Sequence, residues 1–168
     1  MSAATMTASQ ARTISLAEAA EFIWTEADLL DHRDYPAWLA LWSEGGYYVI
    51  PIDPDETDFE NTLNIAYDDA QMRRMRTERL SGGFTISATP VARTARTVSR
   101  LRVLRSAPGM LELRAAQVLV EQRLQLQRIY AAEVEYRLLA HGDGLRLDRK
   151  VVRLLESTDA LHALGYLP

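Results

Sequence analysis

A chain of 168 residues, 48% hydrophobic and 25% charged, has the length of one globular domain and can bury about 70% of its unfolded surface. It holds no cysteine, which excludes disulfides, thiolate nucleophiles, sulfur-held zinc and any ordinary or Rieske-type iron–sulfur cluster built by this chain alone. A net charge of −4 excludes the basic field of a dedicated nucleic-acid binder. With no signal-peptide core and no run of about 20 apolar residues, no membrane is expected and the cytoplasm is the expected location.

Residues 1–13 are small and polar and read as a disordered N-terminal tail, ahead of a single α+β domain over 14–168. Ser15 and Glu18 have capping-box spacing, and Leu16, Ala19, Ala20, Ile23, Ala27 and Leu30 then recur at three and four residues. That pattern predicts a helix with one apolar stripe, ending near His32–Arg33. Asp34 and Pro36 open a second, short helix carrying Trp38, Leu39, Leu41 and Trp42, stopped by Gly45–Gly46. Tyr47 to Ile50 predicts a strand closed by Pro51. An acidic loop spans Asp53 to Asn64, and a third helix starts at Asp68–Asp69 and runs to Gly82–Gly83.

After Pro90 four β segments are predicted: Arg93–Leu104, Met110–Glu121, Leu126–Ala140 and Leu145–Leu155. Ser106-Ala107-Pro108-Gly109 and Gly142-Asp143-Gly144 carry hairpin chemistry. The second segment changes parity between Leu111, Leu113, Ala115 and Val118, Val120, which predicts a bulge there. In the last, Leu145, Leu147, Val151 and Leu155 share one parity, interrupted by Arg149 and Arg153. Helices first and a long meander afterwards is the α+β pattern. A strongly curved, mainly antiparallel sheet wrapped around the N-terminal helices makes a cone with an interior pocket.

Histidines 32, 141 and 162 are scattered, and no pair has metal-ligand spacing, so no metal site is expected. The raw material for acid–base chemistry is Asp28, Asp31, His32, Tyr47 and Tyr48, which a cone pocket could collect. Asp28 and Asp31 share a helix face and could form a carboxylate pair; they read equally as solvated acids near a helix C-terminus. No phosphate loop, Gly-x-Ser-x-Gly or HExxH occurs.

Charge is segregated. Asp34 to Asp69 holds nine acids (Asp34, Glu44, Asp53, Asp55, Glu56, Asp58, Glu60, Asp68, Asp69) and no Lys or Arg. Arg73 to Arg105 holds nine arginines (Arg73, Arg74, Arg76, Arg79, Arg93, Arg96, Arg100, Arg102, Arg105) against Glu78 alone. Two readings stand: ordinary solvated surface, or complementary faces that meet between identical chains in a head-to-tail ring.

Glu26-Ala27-Asp28-Leu29-Leu30-Asp31, then Tyr35, Trp38-Leu39 and Tyr48-Val49-Ile50-Pro51, resembles the opening of the small (beta) subunits of aromatic-ring-hydroxylating dioxygenases. The resemblance continues through Ile65-Ala66-Tyr67-Asp68-Asp69, the Arg76–Arg79–Leu80 helix, Pro90, Arg93-Thr94 and Arg102-Val103 to Lys150-Val151-Val152-Arg153-Leu154 and the Leu161–Leu167 tail. Ala92, Ser99 and Arg100 stand where the family usually has other residues, and the strand from Leu126 lacks its usual glycine and aspartate pattern.

The resemblance implies a nuclear-transport-factor-2-like, cystatin-like cone and a non-catalytic structural role in catabolism of aromatic compounds. It implies a homotrimer ring under three large (alpha) subunits that carry the Rieske iron–sulfur cluster and mononuclear iron. No catalytic, cofactor-binding or metal-ligating residue is then expected in this chain. Apolar strand faces, with the Trp38 and Trp42 region, are expected to supply the ring contact, and Arg96 and Arg100 to serve the ring, the large subunit or only the solvent. The alternatives are a stand-alone isomerase or dehydratase of the same fold, using Asp28 or Asp31 with a tyrosine, and a small-ligand binding module.

Overall fold

Ser15 caps the first helix as its spacing requires: its Oγ accepts from the Glu18 amide at 3.2 Å, and Glu18 Oε2 accepts from the Ser15 amide at 3.0 Å. The computed structural model describes residues 12–82, 91–156 and 166–168. Among them lie α1 (Leu16–Asp31), α2 (Tyr35–Ala40), β1 (Trp42–Pro51), β2 (Asn64–Asp68), α3 (Ala70–Ser81), β3 (Arg93–Ala107), β4 (Met110–Arg123), β5 (Leu126–His141) and β6 (Gly144–Leu154). Residues 1–11 of the expected tail and His162 lie outside the described residues. Arg12 is fixed: it pairs with Glu18 at 2.7 Å, donates to the Gly144 carbonyl at 2.8 Å, and its own carbonyl accepts from the Gly109 amide.

Asp34 caps α2 by accepting from the Ala37 amide. The helix ends at Ala40 rather than at Gly45–Gly46, because Trp42 already pairs with Leu147 as the first residue of β1. Gly45 and Gly46 belong to an irregular stretch of that strand: four residues intervene between Trp42 and Tyr47, while Leu147 and Arg149 opposite them are separated by one. At Gly46 a Cβ would stand 3.0 Å from the carbonyl oxygens of Leu147 and Asp148 and from the Trp42 ring, so the close approach of these strands requires glycine. β2 lies between the acidic loop and α3, where the sequence reading assigned no strand; it pairs antiparallel with β1, Tyr48 facing Asp68. Asp69 caps α3 through the Met72 amide.

The six strands form one sheet in the order β2-β1-β6-β5-β4-β3. Every neighbouring pair is antiparallel except β1 with β6, which is parallel. This is the expected mainly antiparallel sheet, curled around the N-terminal helices. Its inner face and α1 share one hydrophobic core that includes Ile23, Leu30, Trp38, Leu113, Leu119, Val134, Leu138 and Val152.

The bulge expected in β4 is absent: β4 pairs with β5 without a shift, and Leu111, Leu113, Ala115, Gln117, Leu119 and Glu121 all face inward. The apparent change of parity arose because two polar residues, Gln117 and Glu121, occupy core positions while Val118 is exposed. The extra residues sit instead in β3, after Ser99 and after Val103, with Arg100 in the left-handed region at φ 54°. β6 has its own bulge at Asp148: Leu147 pairs with Leu138 and Arg149 with Arg137. That one extra residue changes the inward parity from Leu145 and Leu147 to Lys150, Val152 and Leu154.

Candidate functional site

The cone interior holds polar groups that neither periodicity nor motif spacing singles out. Glu26, on the buried stripe of α1, and Lys150, turned inward by the Asp148 bulge, are both at most 1% exposed. Lys150 Nζ lies 2.9 Å from Glu26 Oε1 and 3.1 Å from Oε2. The Trp38 indole donates to Glu26 Oε1 at 2.9 Å. The ammonium also lies 6.0 Å from the Tyr48 ring centroid and 5.8 Å from that of Tyr136. Burial pulls the Lys150 pKa down, opposed by the Glu26 charge, and burial pushes the Tyr136 and Tyr48 hydroxyls up. Tyr48 donates to the Pro168 carbonyl at 2.9 Å, tying the last residues into the core.

Two more acid–base pairs, partly buried, belong to the same domain. Asp31 accepts from Thr94 Oγ1, the Arg96 amide and Arg96 Nε, each at 2.8 Å, and the Arg96 side chain is 1% exposed. Asp68 accepts from both Arg76 Nε and Arg76 Nη2. Arg73 is buried without a carboxylate partner among the described residues; its Nη1 donates to the Gly46 and Asp68 carbonyls, and its guanidinium lies 4.1 Å from the Trp42 ring centroid. Burial lowers the Arg73 pKa to about 10. A further buried acid, Glu121, accepts from Tyr130 at 3.3 Å and Tyr166 at 3.4 Å.

The structure does not gather the five candidate acid–base residues. Asp28 and His32 are exposed and face each other at 3.2 Å. Asp31 is consumed by Thr94 and Arg96, so the two aspartates form no carboxylate pair. Tyr47 stacks on Tyr67, centroids 5.0 Å apart, on the opposite side of β1 from Tyr48. Tyr48 alone reaches the interior. Arg96 serves Asp31 rather than a neighbouring chain, and Trp38 and Trp42 are core residues packed edge to face at 5.4 Å, unavailable for a ring contact. His141 borders a cleft of about 390 Å³ with Trp42, Glu44, Met110 and Arg146 at the turn end of the sheet.

The donor set does not fit the iron centres that a dioxygenase needs. A Rieske cluster takes two Cys and two His, and mononuclear iron takes two His and a carboxylate. The chain has no cysteine, and among the described residues no three His, Asp or Glu side chains converge. Both oxygens of Glu26 are engaged, and neither Glu26 nor Lys150 reaches solvent.

Residues 25–159 match the family model for the ring hydroxylating beta subunit. The chain belongs to that family. Among its relatives, the anthranilate 1,2-dioxygenase small subunit of Acinetobacter baylyi is 26% identical over 135 residues, 77% of this chain and 83% of the relative. The fold matches the beta subunit of benzoate 1,2-dioxygenase from Burkholderia mallei with a TM-score of 0.77 at 20% identity, over 93% of this chain and 99% of that one. An NTF2-like protein with a cystatin-like fold from Novosphingobium aromaticivorans matches with a TM-score of 0.57 at 18% identity, over 88% and 86%.

The segments that carried the family resemblance supply the interior pairs of this beta subunit. Glu26 and Asp31 come from the first segment, Trp38 and Tyr48 from the next two, and Asp68, Arg76 and Lys150 from later ones. The signal that could have revealed the Glu26–Lys150 pair was the single lysine of an arginine-rich chain, placed directly before Val151 and Val152.

Proposed function

We propose that this chain is the non-catalytic small subunit of a ring-hydroxylating dioxygenase acting in the breakdown of aromatic compounds. It supports a large subunit that holds the Rieske cluster and the mononuclear iron, and contributes no catalytic residue, cofactor or metal of its own. The family match over residues 25–159 carries the reading. The interior supports it, because its buried acid and base, Glu26 and Lys150, are tied to each other. The isomerase or dehydratase alternative is not favoured: Asp28 is exposed and Asp31 is bound to Arg96.

The same reading gives a homotrimer ring in the cytoplasm, with no membrane or nucleic-acid partner. The acidic loop lies at the β1–β2 edge of the sheet and Arg93, Arg102 and Arg105 of β3 lie at the other, with no ion pair to these three among the described residues, which supports a contact between copies. Light scattering should report a mass near three times 18.9 kDa.

Co-expression with a tagged large subunit tests the function. The two chains should purify together in about equal amounts, with iron tracking the large subunit, and the isolated small chain should turn over neither enones nor hydroxylated aromatics. Stoichiometric iron on the isolated chain, or robust turnover by it, would overturn the proposal.

A further inference from the structure

We propose that copies of this chain join head to tail, the acidic β1–β2 loop of one seated on the β4–β5 hairpin tip of the next. The inference rests on the proposed self-assembly and adds the surfaces that make it.

The loop between β1 and β2 combines charge with apolar surface. Asp53, Asp55, Asp58 and Glu60 are exposed, and no ion pair involving them occurs among the described residues. Beside them Leu63 is 80% exposed and Ile52 is 45% exposed. The loop is nevertheless held in place. Arg153 donates from Nη1 to the carbonyls of Pro54 at 2.8 Å and Glu56 at 2.7 Å, and its guanidinium lies over the Phe59 ring. Asp58 accepts from Asn61. Leu63 is thus presented to solvent by a braced segment.

The hairpin tip has the complementary composition. Leu124, Leu126 and Ile129 are 69%, 67% and 63% exposed. Leu124 sits in the left-handed region at φ 55°, a turn position that glycine or asparagine fills at lower cost. Flanking these aliphatic residues, Arg93 and Arg128 are exposed on opposite faces of the hairpin, with no ion-pair partner among the described residues. Glu121, the acid nearest the tip in sequence, is buried. An exposed apolar patch rimmed by one sign of charge marks an interaction surface.

A second copy of this chain fits as the occupant. The two patches carry opposite charge, each with large exposed aliphatic residues, and they belong to opposite sides of the sheet, β1–β2 at one edge and β4 beside the other. A two-fold contact with its axis through either patch would set acid on acid or arginine on arginine. A head-to-tail contact sets each patch on its complement and repeats around a closed ring.

The absence of cysteine supplies a clean test. Leu63→Cys and Leu124→Cys are made separately, with different tags, checked for unchanged melting temperature, and co-expressed. Under mild oxidation a mixed disulfide dimer should form, neither variant should cross-link with itself, and the double variant should give a covalent ladder ending at the size of the ring. Arg128→Glu should weaken association about tenfold, with partial rescue by Asp58→Arg. Self-cross-linking of either single variant would overturn the head-to-tail assignment. An oligomeric mass without the mixed cross-link would overturn these surfaces and leave self-assembly standing, the result expected if the large subunit covers the tip instead. A monomeric mass would overturn both.

Discussion

Lys150, the only lysine in the chain, places its ammonium 2.9 Å from Oε1 of Glu26, a residue 124 positions earlier. Removing one partner strands the other charge in an apolar interior. Lys150→Met should lower unfolding free energy in urea by about 3–5 kcal/mol. The double variant Glu26→Gln/Lys150→Met should recover more than half of that loss, because the remaining amide still accepts from Trp38 and no charge is left unpaired. Equal stability of single and double variants would show that the two residues are not coupled.

Asp28 and Asp31 look equivalent in sequence and should behave differently. Asp31→Ala leaves the Arg96 guanidinium buried without its acid, a loss of roughly 3 kcal/mol. Asp28→Ala touches an exposed group and should stay within about 0.5 kcal/mol of the parent. Thermal melts of the two variants check the contrast.

Stability should fall in acid partly through Glu18. Its carboxyl is held down to about 2, from 4.5, first by the Ser15 amide and then by Arg12. A depressed folded pKa means stability that is present above pH 4.5 and lost as pH falls toward 2. Glu18 is partly exposed, so the effect is modest, under about 1 kcal/mol. Glu18→Gln should flatten the stability curve between pH 4.5 and 2. His32 has the opposite sign: its pKa is raised by the Asp28 carbonyl and then the Asp28 carboxylate, so its contribution is present below pH 6.5 and is lost as pH rises through the folded value. His32→Gln should remove that slope.

Gly46→Ala should destabilise by about 1–3 kcal/mol, since two of the three atoms a Cβ would meet are backbone carbonyl oxygens that cannot swing aside. Gly45→Ala meets nothing within 4 Å and should be nearly neutral. Comparing their urea midpoints tests the close strand approach.

Local signals with a local cause were legible in the sequence. Ser15, Asp34 and Asp69 each cap a helix within three residues of themselves, and the Pro108–Gly109 and Gly142–Asp143 turns sit where their chemistry puts them. What the sequence hid depends on distant partners. Trp42 reads as the end of a helix until Leu147 arrives to pair with it. Gln117 and Glu121 look like surface residues and point inward, because inward polarity in β4 is set by register with β5 rather than by residue type. The interior pairs were invisible for the same reason: Lys150 turns inward only because Asp148 adds one residue to β6, and no pattern within β6 names Glu26 as its partner.

The parallel pairing of β1 with β6 also bears on folding. β1 and β2 can form their hairpin early, but they join the sheet only through β6, the last strand among the described residues, where Tyr48 meets Lys150 and Val49 meets Val151. Until then the inner side of β1 offers an open strand edge and Tyr48 and Ile50 are uncovered. Closing so long a loop is slow, and a strand edge left open meanwhile is prone to pair with the wrong chain. Recombinant yield of this protein should therefore depend more on temperature and chaperone supply during synthesis than on the stability of the finished fold.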